Sequence, residues 1–285
     1  MITSLQNAKI KNLVKLRRRR GRDRQKLMLI DGARALRAAL NNGFAVDALY
    51  FYQTQDKEYA DLLQQADRQG VHLQPVSAAV FNKISYGDAP DKILGVAPQP
   101  KFSLSRLPCP PNPLYIVADG LEKPGNLGAI LRSADAAGVS GLIICNAQTD
   151  IYNPNVIRAS RGAFFSVSLA QVMVDEVARW LRERNVQILA ASPEAELRYT
   201  QADMRSATAL VLGAEHAGLS EIWRSYPLVA IPMRGQADSL NVAQSASVLM
   251  FEALRQRESR LTAPPRSPSP APEQQPAPPN CEDNS

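Results

Sequence analysis

The sequence predicts an α/β protein with two domains, the second of which is organised around a parallel sheet. Three observations support this fold class. Apolar segments of strand length alternate with helical segments along most of the 285 residues. The strand segments of the second half are almost continuously apolar, as expected for strands buried on both faces. A stretch with four prolines, residues 105–113, separates the two halves.

The first domain is predicted over residues 1–104. A helix begins after Ser4 and continues into the run of four arginines, where Gly21 interrupts it, and a second helix covers about 31–41. The segments that follow alternate between strand and helix, which gives a small α/β domain. The predicted strands are VDALYFY, VHLQPV and KILGVA, and the predicted helices between them are DKEYADLLQQADRQ and SAAVFNKI.

The second domain is predicted over residues 114–260, after the stiff linker at 105–113. Its strands alternate with helices at 126–137, near 154–161 and from Val242 onwards. The predicted strands are LYIVAD, GLIICN, FSVSLA, VQILAA, ATALVLG and LVAIPM, with further helices in DEVARWLRER and HAGLSEIW.

The last segment, residues 261–285, differs in composition from both domains. It has eight prolines and almost no large apolar side chains. Because such a segment cannot bury enough apolar surface to fold, we predict a disordered tail. An inert extension is favoured over a docking segment.

The net charge of +6 is concentrated near the N-terminus. Residues 9–26 contain ten lysines and arginines and one acid, Asp23. A local basic cluster favours a polyanionic partner, and nucleic acid fits better than a membrane surface because the adjoining apolar face is short. A solvated basic arm without a partner is the alternative.

The number and spacing of the cysteines and histidines argue against disulfide bonds and against a metal site. The three cysteines, Cys109, Cys145 and Cys281, are far apart, which fits a reducing cytoplasm. The histidines, His72 and His216, form no familiar metal-ligand spacing with them. No apolar run is long enough to span a membrane, and the N-terminus lacks an apolar signal region. We therefore expect a cytoplasmic protein that binds no metal.

Three loops carry polar residues at the carboxyl ends of predicted strands, the edge where open parallel sheets bind ligands. The first, GNLG, follows Asp119 and opens a helix; alone it could be a phosphate-binding turn, but a dinucleotide fingerprint is absent. The second, LGAEHAG, places Glu215 between two glycines and could be an ordinary turn. The third, Ser239-Leu240-Asn241, either caps the last helix or forms a reactive site.

Taken together and in this order, the three loops resemble the SpoU-type (TrmH-like) RNA 2′-O-methyltransferases of the SPOUT superfamily. Those enzymes carry the patterns N-x-G-x-x-x-R-x-A, L-G-x-E-x-x-G and I-P-M-x-G-x-x-x-S-L-N-V, and their A-S-x-G-A segment is similar to IRASRGAFF. The resemblance covers about 114–258. The matching residues are Asn126, Gly128, Arg132 and Ala134 for the first pattern, Leu212, Gly213, Glu215 and Gly218 for the second, and Ile231, Pro232, Met233, Gly235, Ser239, Leu240, Asn241 and Val242 for the third.

The resemblance implies a SPOUT domain that ends in a trefoil knot, binds S-adenosylmethionine in the knot and methylates a ribose 2′-oxygen. Arg132 is the family's proposed base. Because guanidinium is expected to stay protonated in proteins, binding and orienting the ribose and its phosphate is the favoured role, and the role of general base stays the alternative. The implied catalytic residues are Asn126, Arg132, Glu215, Ser239 and Asn241, and the implied cofactor-binding residues are Gly213, Ile231, Met233 and Leu240.

The N-terminal segment, about residues 2–97, resembles the family's ribosomal-protein-like substrate-binding domain. SLQNAKIKNLVKL and LMLIDGARAL are similar to its S-x-x-N-x-x-V-K and F-L-V-E-G patterns, with Asp31 in place of Glu and Met28 in place of Phe. This implies RNA as the partner, large-subunit ribosomal RNA (rRNA) before transfer RNA (tRNA), and a homodimer. The predicted RNA-binding residues are Lys9, Lys11, Lys15, Arg17, Arg18, Arg19, Arg20, Arg22 and Arg24.

Other functions are left open. One is a tRNA 2′-O-methyltransferase with the same site. Another is a non-catalytic RNA-binding or ribosome-assembly factor, against which the complete set of polar motif residues argues. A nicotinamide-dependent oxidoreductase is disfavoured because the dinucleotide fingerprint is missing.

Overall fold

A computed structural model describes residues 1–52, 57–86 and 91–258. These residues form two sheets, one before and one after the proline-rich linker. The tail that we predict to be disordered, 261–285, lies outside the described residues. Within the described ranges, no helix has the length and apolarity needed to cross a bilayer.

The first domain has a four-stranded mixed sheet. Its elements are α1 (Ala8–Leu16), α2 (Arg19–Gln25), β1 (Leu27–Asp31), α3 (Ala33–Asn41), β2 (Ala48–Phe51), α4 (Lys57–Arg68), β3 (His72–Pro75), α5 (Ala78–Ile84) and β4 (Ile93–Pro98). The strand order is β1-β4-β2-β3. Strand β4 is antiparallel to both of its neighbours, while β2 and β3 are parallel.

Two details of the predicted first domain are wrong. The break between α1 and α2 falls at Arg17 and Arg18, so Gly21 lies inside α2 and does not interrupt a helix. A Cβ atom at Gly21 would lie 1.9 Å from the Lys15 carbonyl oxygen, so glycine is what lets the two helices pack closely. In addition, Leu27–Asp31 forms a strand that the pattern did not predict, because its consecutive buried residues show no alternation.

The second domain confirms the predicted parallel sheet. Its elements are β5 (Leu114–Asp119), α6 (Pro124–Ala136), β6 (Gly141–Cys145), α7 (Pro154–Ala159), α8 (Ala163–Ser166), β7 (Leu169–Val172), α9 (Val174–Glu183), β8 (Gln187–Ala191), β9 (Thr208–Leu212), α10 (Glu221–Arg224), β10 (Leu228–Val229) and α11 (Val242–Glu258). The strand order is β10-β8-β9-β5-β6-β7, and every neighbouring pair is parallel.

Helices cover both faces of this sheet, as continuously apolar strands require. Neighbouring residues of β5 illustrate the two layers. Ile116 packs in the same apolar cluster as α6 and α11, whereas Val117 packs with α9 and with Trp223 of α10. Because all neighbouring strands are parallel, their carboxyl ends lie at one edge of the sheet.

Two predicted strands of this domain need correction. In FSVSLA, Phe165 belongs to α8 and strand β7 begins only at Leu169. A short buried apolar run does not by itself distinguish a strand from a helix. In LVAIPM, strand β10 contains only Leu228 and Val229, and the next residue, Ala230, forms an isolated bridge with Arg198 instead of extending the pairing with β8.

A buried ion pair joins the two domains. The side chains of Arg22 and Asp150 are 2% and 8% exposed. Arg22 donates from Nε to Asp150 Oδ2 at 2.9 Å and from Nη1 to the Leu16 carbonyl oxygen at 2.8 Å, while Nη2 pairs with the same carboxylate oxygen. Asp150 Oδ1 accepts the backbone N–H of Tyr152 at 2.9 Å. Because Asp150 lies between β6 and α7, the pair fixes α2 against the second domain.

Candidate functional site

A cavity of about 520 Å³ lies at the carboxyl edge of the parallel sheet. It opens where β8, β9 and β10 end and borders the first residues of α11. This is the edge at which parallel sheets bind ligands. The structure brings the four predicted cofactor-binding residues together in its lining: Gly213, Ile231, Met233 and Leu240.

The loop after β9 forms one wall of the cavity. Ala214 and Gly218 exchange two backbone hydrogen bonds of 3.0 Å, and Gly218 has a φ of +67°. A Cβ atom at Gly213 would lie 2.4 Å from the Gly218 carbonyl group, so this position too requires glycine. The tight loop holds Glu215 at its turn. An ordinary turn would account for the glycines but not for the contacts of Glu215.

Glu215, in the second motif, accepts hydrogen bonds from side chains of the first and third motifs. Asn126 Nδ2 and Asn241 Nδ2 both donate to Glu215 Oε1, at 2.6 Å and 2.8 Å. Asn241 Nδ2 also lies 3.2 Å from Asn126 Oδ1, although the two residues are 115 positions apart in the chain. Lys123 Nζ forms an ion pair with Glu215 Oε2. Three predicted catalytic residues therefore meet beside the cavity, and we call these four residues the Glu215 cluster.

The Glu215 cluster keeps its carboxylate ionised. The hydrogen bond from Lys123 is the main cause that lowers the pKa of Glu215; the Asn126 hydrogen bond and the Lys123 charge act in the same direction, and desolvation opposes them. The side chain is 22% exposed, so solvent still reaches it. A carboxylate in this state accepts hydrogen bonds and orients the two amides. Asn126 Oδ1 retains acceptor capacity for a ligand because a carbonyl oxygen has two lone pairs.

Asn241 caps the last helix and also contacts Glu215. Its Oδ1 accepts the backbone N–H of Ala243 at 3.0 Å, which caps the first turn of α11. Its Nδ2 donates to Glu215 at the same time. Ser239 lies on the cavity wall and, among the described residues, has no hydrogen-bond partner. Asn241 is therefore the cap, and the Ser239 hydroxyl is available to a ligand.

Lys123 belongs to the cluster although the motifs did not indicate it. It is the N-cap residue of α6, directly before Pro124 in the first turn. A cation at a helix N-terminus is opposed by the helix dipole, and this unfavourable placement is the signal that could have singled it out. The carboxylate of Glu215 supplies the compensating charge.

Arg132 is the one predicted catalytic residue that the structure places outside both the cluster and the cavity lining. It lies on the exposed face of α6, opposite the buried stripe that includes Leu127, Ile130 and Leu131. Within the described part of the chain, its side chain forms no hydrogen bond or ion pair. A surface ion pair therefore does not explain it, and its guanidinium is free to bind a ligand or a partner.

Gly128 of the first motif has a packing role. A Cβ atom there would lie 2.4 Å from the Ala159 Cβ and 2.9 Å from the Val156 carbonyl oxygen. Glycine thus lets α6 pack closely against α7, which carries the first part of the IRASRGAFF segment. Helix packing, and not a phosphate-binding turn, accounts for the second glycine of GNLG.

The basic segment lies on α1, on α2 and at the break between them. The prediction that Arg22 belongs to the RNA-binding surface is wrong, because its guanidinium is buried against Asp150 and cannot reach a partner. Arg17 lies over the Tyr86 ring, 5.6 Å from its centre. The other predicted RNA-binding residues are all exposed: Lys9, Lys11, Lys15, Arg17, Arg18, Arg19, Arg20 and Arg24.

Comparison with known proteins finds similarity in both domains. Residues 113–251 match the SpoU rRNA Methylase family, and residues 7–95 match the MRM3-like substrate binding domain. The chain is 32% identical over 255 residues to the 23S rRNA (uridine(2479)-2'-O)-methyltransferase of Streptomyces viridochromogenes. That similarity covers 86% of this chain and 88% of the relative.

Two solved structures are similar over most of the chain. An RNA 2′-O ribose methyltransferase is 40% identical with a TM-score of 0.80, covering 90% of this chain and 99% of its own. An rRNA methyltransferase from Sinorhizobium meliloti, solved with S-adenosylmethionine bound, is 30% identical with a TM-score of 0.81 and covers 89% of this chain and 97% of its own.

Proposed function

Since the chain belongs to the SpoU rRNA methylase family, we propose that it transfers a methyl group from S-adenosylmethionine to a ribose 2′-oxygen of 23S rRNA. The observation that carries this proposal is the Glu215 cluster beside a cavity lined by the predicted cofactor-binding residues. A relative that acts on 23S rRNA and matches 86% of the chain supports rRNA over tRNA.

The cavity suits S-adenosylmethionine. Its volume of about 520 Å³ falls within the range of roughly 300–1,000 Å³ for small-molecule sites. Leu212, Ile231 and Leu240 provide apolar walls suited to an adenine ring, while the carboxylates of Glu194 and Asp238 suit hydroxyl and ammonium groups. When bound, S-adenosylmethionine supplies an activated methyl group on a sulfonium.

The chain's own residues hold and align the acceptor. We assign Arg132 to binding the ribose and its phosphate, which directs the 2′-oxygen towards the methyl group. Glu215 fixes the amides of Asn126 and Asn241, and these hydrogen-bond the acceptor nucleotide. The Ser239 hydroxyl, which has no partner in the described chain, joins them.

The Glu215 cluster also weighs against a non-catalytic binding factor. A scaffold that only binds RNA needs no carboxylate held by an ammonium and two amides next to a small-molecule cavity. The trefoil knot and the cytoplasmic location that the family resemblance and the composition indicate stay predictions.

The proposed activity is tested with labelled S-adenosylmethionine, using protein-free 23S rRNA and bulk tRNA as separate acceptors. We expect alkali-resistant label at one site of the rRNA. The test variant is Glu215→Gln, which keeps the shape of the side chain but removes its charge. It should slow transfer about tenfold or more, since a hydrogen bond to a charged group contributes about 1.5–3 kcal/mol. Label in tRNA alone would overturn the substrate, and no label together with no cofactor binding would support the non-catalytic factor.

We further propose a homodimer formed through the outer face of α11. Phe251 is apolar and 47% exposed. Val248 and Leu254 are half-buried and lie on the same helix face, three residues to either side. Contiguous exposed apolar surface is typical of interaction sites, and we assign that role to the face around Phe251. Ala243, near the start of the same helix, is 7% exposed and packs into the core, so it lies outside this face.

Phe251→Glu is expected to convert the dimer into a monomer in sedimentation velocity, because it places a charge in the centre of the proposed contact. Met173→Glu is the matched control, since Met173 is also an exposed apolar residue, 62% exposed, but lies beside α9. A Phe251→Glu protein that still sediments as a dimer, or a monomeric wild type at micromolar concentration, would contradict this interface.

A further inference from the structure

Lys123 divides the two oxygens of the Glu215 carboxylate between one ammonium and two amides. Lys123 Nζ pairs with Oε2, whereas Asn126 Nδ2 and Asn241 Nδ2 both donate to Oε1. The Lys123 side chain is 60% exposed, and ion pairs as accessible to solvent as this one contribute little to folding. A cation is also unfavourable at the start of α6. A role in the site therefore explains Lys123 better than a role in stability.

The partner of Glu215 distinguishes it from the other carboxylates of the cavity. Glu194, Glu215 and Asp238 line the cavity. Among the described residues, Glu215 alone of these three is paired with a lysine or an arginine. The charges of Lys123 and Glu215 cancel, so the Glu215 cluster carries no net charge. Its carboxylate nevertheless stays ionised and keeps both amides oriented.

Methyl transfer from S-adenosylmethionine removes a positive charge from the cavity. The carbon–sulfur bond breaks with its electron pair left on sulfur, which becomes a neutral thioether, while a carbon–oxygen bond forms and the 2′-hydroxyl proton passes to water. An uncompensated carboxylate would stabilise the sulfonium before the reaction more than in the transition state, where the positive charge is already being lost. Binding energy that is larger in the ground state than in the transition state slows the chemical step.

We propose that Lys123 compensates the charge of Glu215, so that the carboxylate orients Asn126 and Asn241 without stabilising the cofactor's sulfonium in the ground state. Lys123 is thus a positioning residue that acts through Glu215. The inference rests on the proposed function, because the methyl-transfer reaction is taken from it. Two properties of one carboxylate are thereby separated: its hydrogen bonds serve the acceptor nucleotide, and its charge is neutralised by Lys123.

The test compares two ligands that differ in this charge, the sulfonium S-adenosylmethionine and its neutral thioether, S-adenosylhomocysteine. Calorimetry measures the affinity for each, and the ratio of the two affinities is the readout. In Lys123→Met the ratio should shift towards the sulfonium by about fivefold, the effect of one unit charge at close range in water. Lys123→Arg keeps the charge and should keep the wild-type ratio. Lys83→Met, which removes an exposed lysine of α5, should keep it as well.

The double variant Lys123→Met/Glu215→Gln removes both charges and should return the ratio to the wild-type value, which a merely structural role of Lys123 would not produce. Single-turnover methyl transfer to 23S rRNA should slow in Lys123→Met by about the same factor of five, although this variant binds S-adenosylmethionine more tightly.

The outcomes separate this inference from the proposed function. An unchanged ratio in Lys123→Met, with methyl transfer intact in the wild type, would overturn the role of Lys123 alone. If the ratio shifts as expected but the wild type transfers no methyl group, the proposed function fails and the charge compensation stands. A wild type that binds neither ligand would overturn both.

Discussion

Replacing Arg132 with alanine is expected to abolish methyl transfer to 23S rRNA while S-adenosylmethionine still binds. Arg132 is exposed and has no partner in the described chain, so its loss should change the free energy of unfolding by no more than about 0.5 kcal/mol. The acceptor ribose, however, loses the group that aligns it. A displacement of about 1 Å between reacting groups can cost on the order of 100-fold in rate. Single-turnover rates and calorimetry measure the two effects separately.

Two variants serve as controls for Arg132→Ala. Arg132→Lys keeps the charge but not the planar fork that pairs with phosphate, so its rate should fall between wild type and alanine. Arg182→Ala removes an exposed arginine of α9, on the opposite face of the sheet, and should retain the wild-type rate. Unchanged turnover in Arg132→Ala would refute a central role for this residue.

Asp150→Ala is expected to destabilise the protein by about 3–5 kcal/mol, because it leaves the Arg22 guanidinium buried without its counter-charge. Folded proteins are stable by only about 5–15 kcal/mol, so this single change removes a large share of the total. Urea unfolding of wild type and variant, followed by circular dichroism, measures the difference.

The double variant Arg22→Met/Asp150→Leu is the matched control for Asp150→Ala. It removes both charges together and should recover much of the loss, since a buried ion pair is often replaceable by apolar residues. A second control is Asp203→Ala, which breaks the exposed pair with Arg205 and should be much less destabilising than Asp150→Ala. If Asp150→Ala were no more harmful than Asp203→Ala, the pair would not anchor the two domains.

Much of the site could be predicted because the motifs fall where strands end. Glu215 follows β9 and Asn241 precedes α11, and in a parallel sheet these positions must meet at one edge. The resemblance supplied the identity of the residues, and the strand order brought them together. Gly213 and Gly128 were also indicated by their motifs, but only the packing distances reveal that both permit close backbone or helix contacts.

The remaining features depend on contacts between residues distant in sequence. Arg22 looks like its basic neighbours in the chain, and only the fold places Asp150, 128 positions away, against it. Lys123 belongs to no motif and becomes part of the site through Glu215. Gly21 has the low helix propensity of a helix breaker. In the fold it lies inside α2 and accommodates the Lys15 carbonyl group. Local sequence patterns contain no information about such pairs.

Asn241 has a consequence for how this site can change in evolution. One side chain both starts α11 and holds Glu215, through different atoms of the same amide. A substitution that keeps an oxygen but loses the NH₂ group, such as aspartate, would still cap the helix but would face Glu215 with a second negative charge. A substitution without the oxygen would lose the cap. Selection for folding and selection for chemistry therefore act on the same atoms, so this position has few neutral replacements and little freedom to drift.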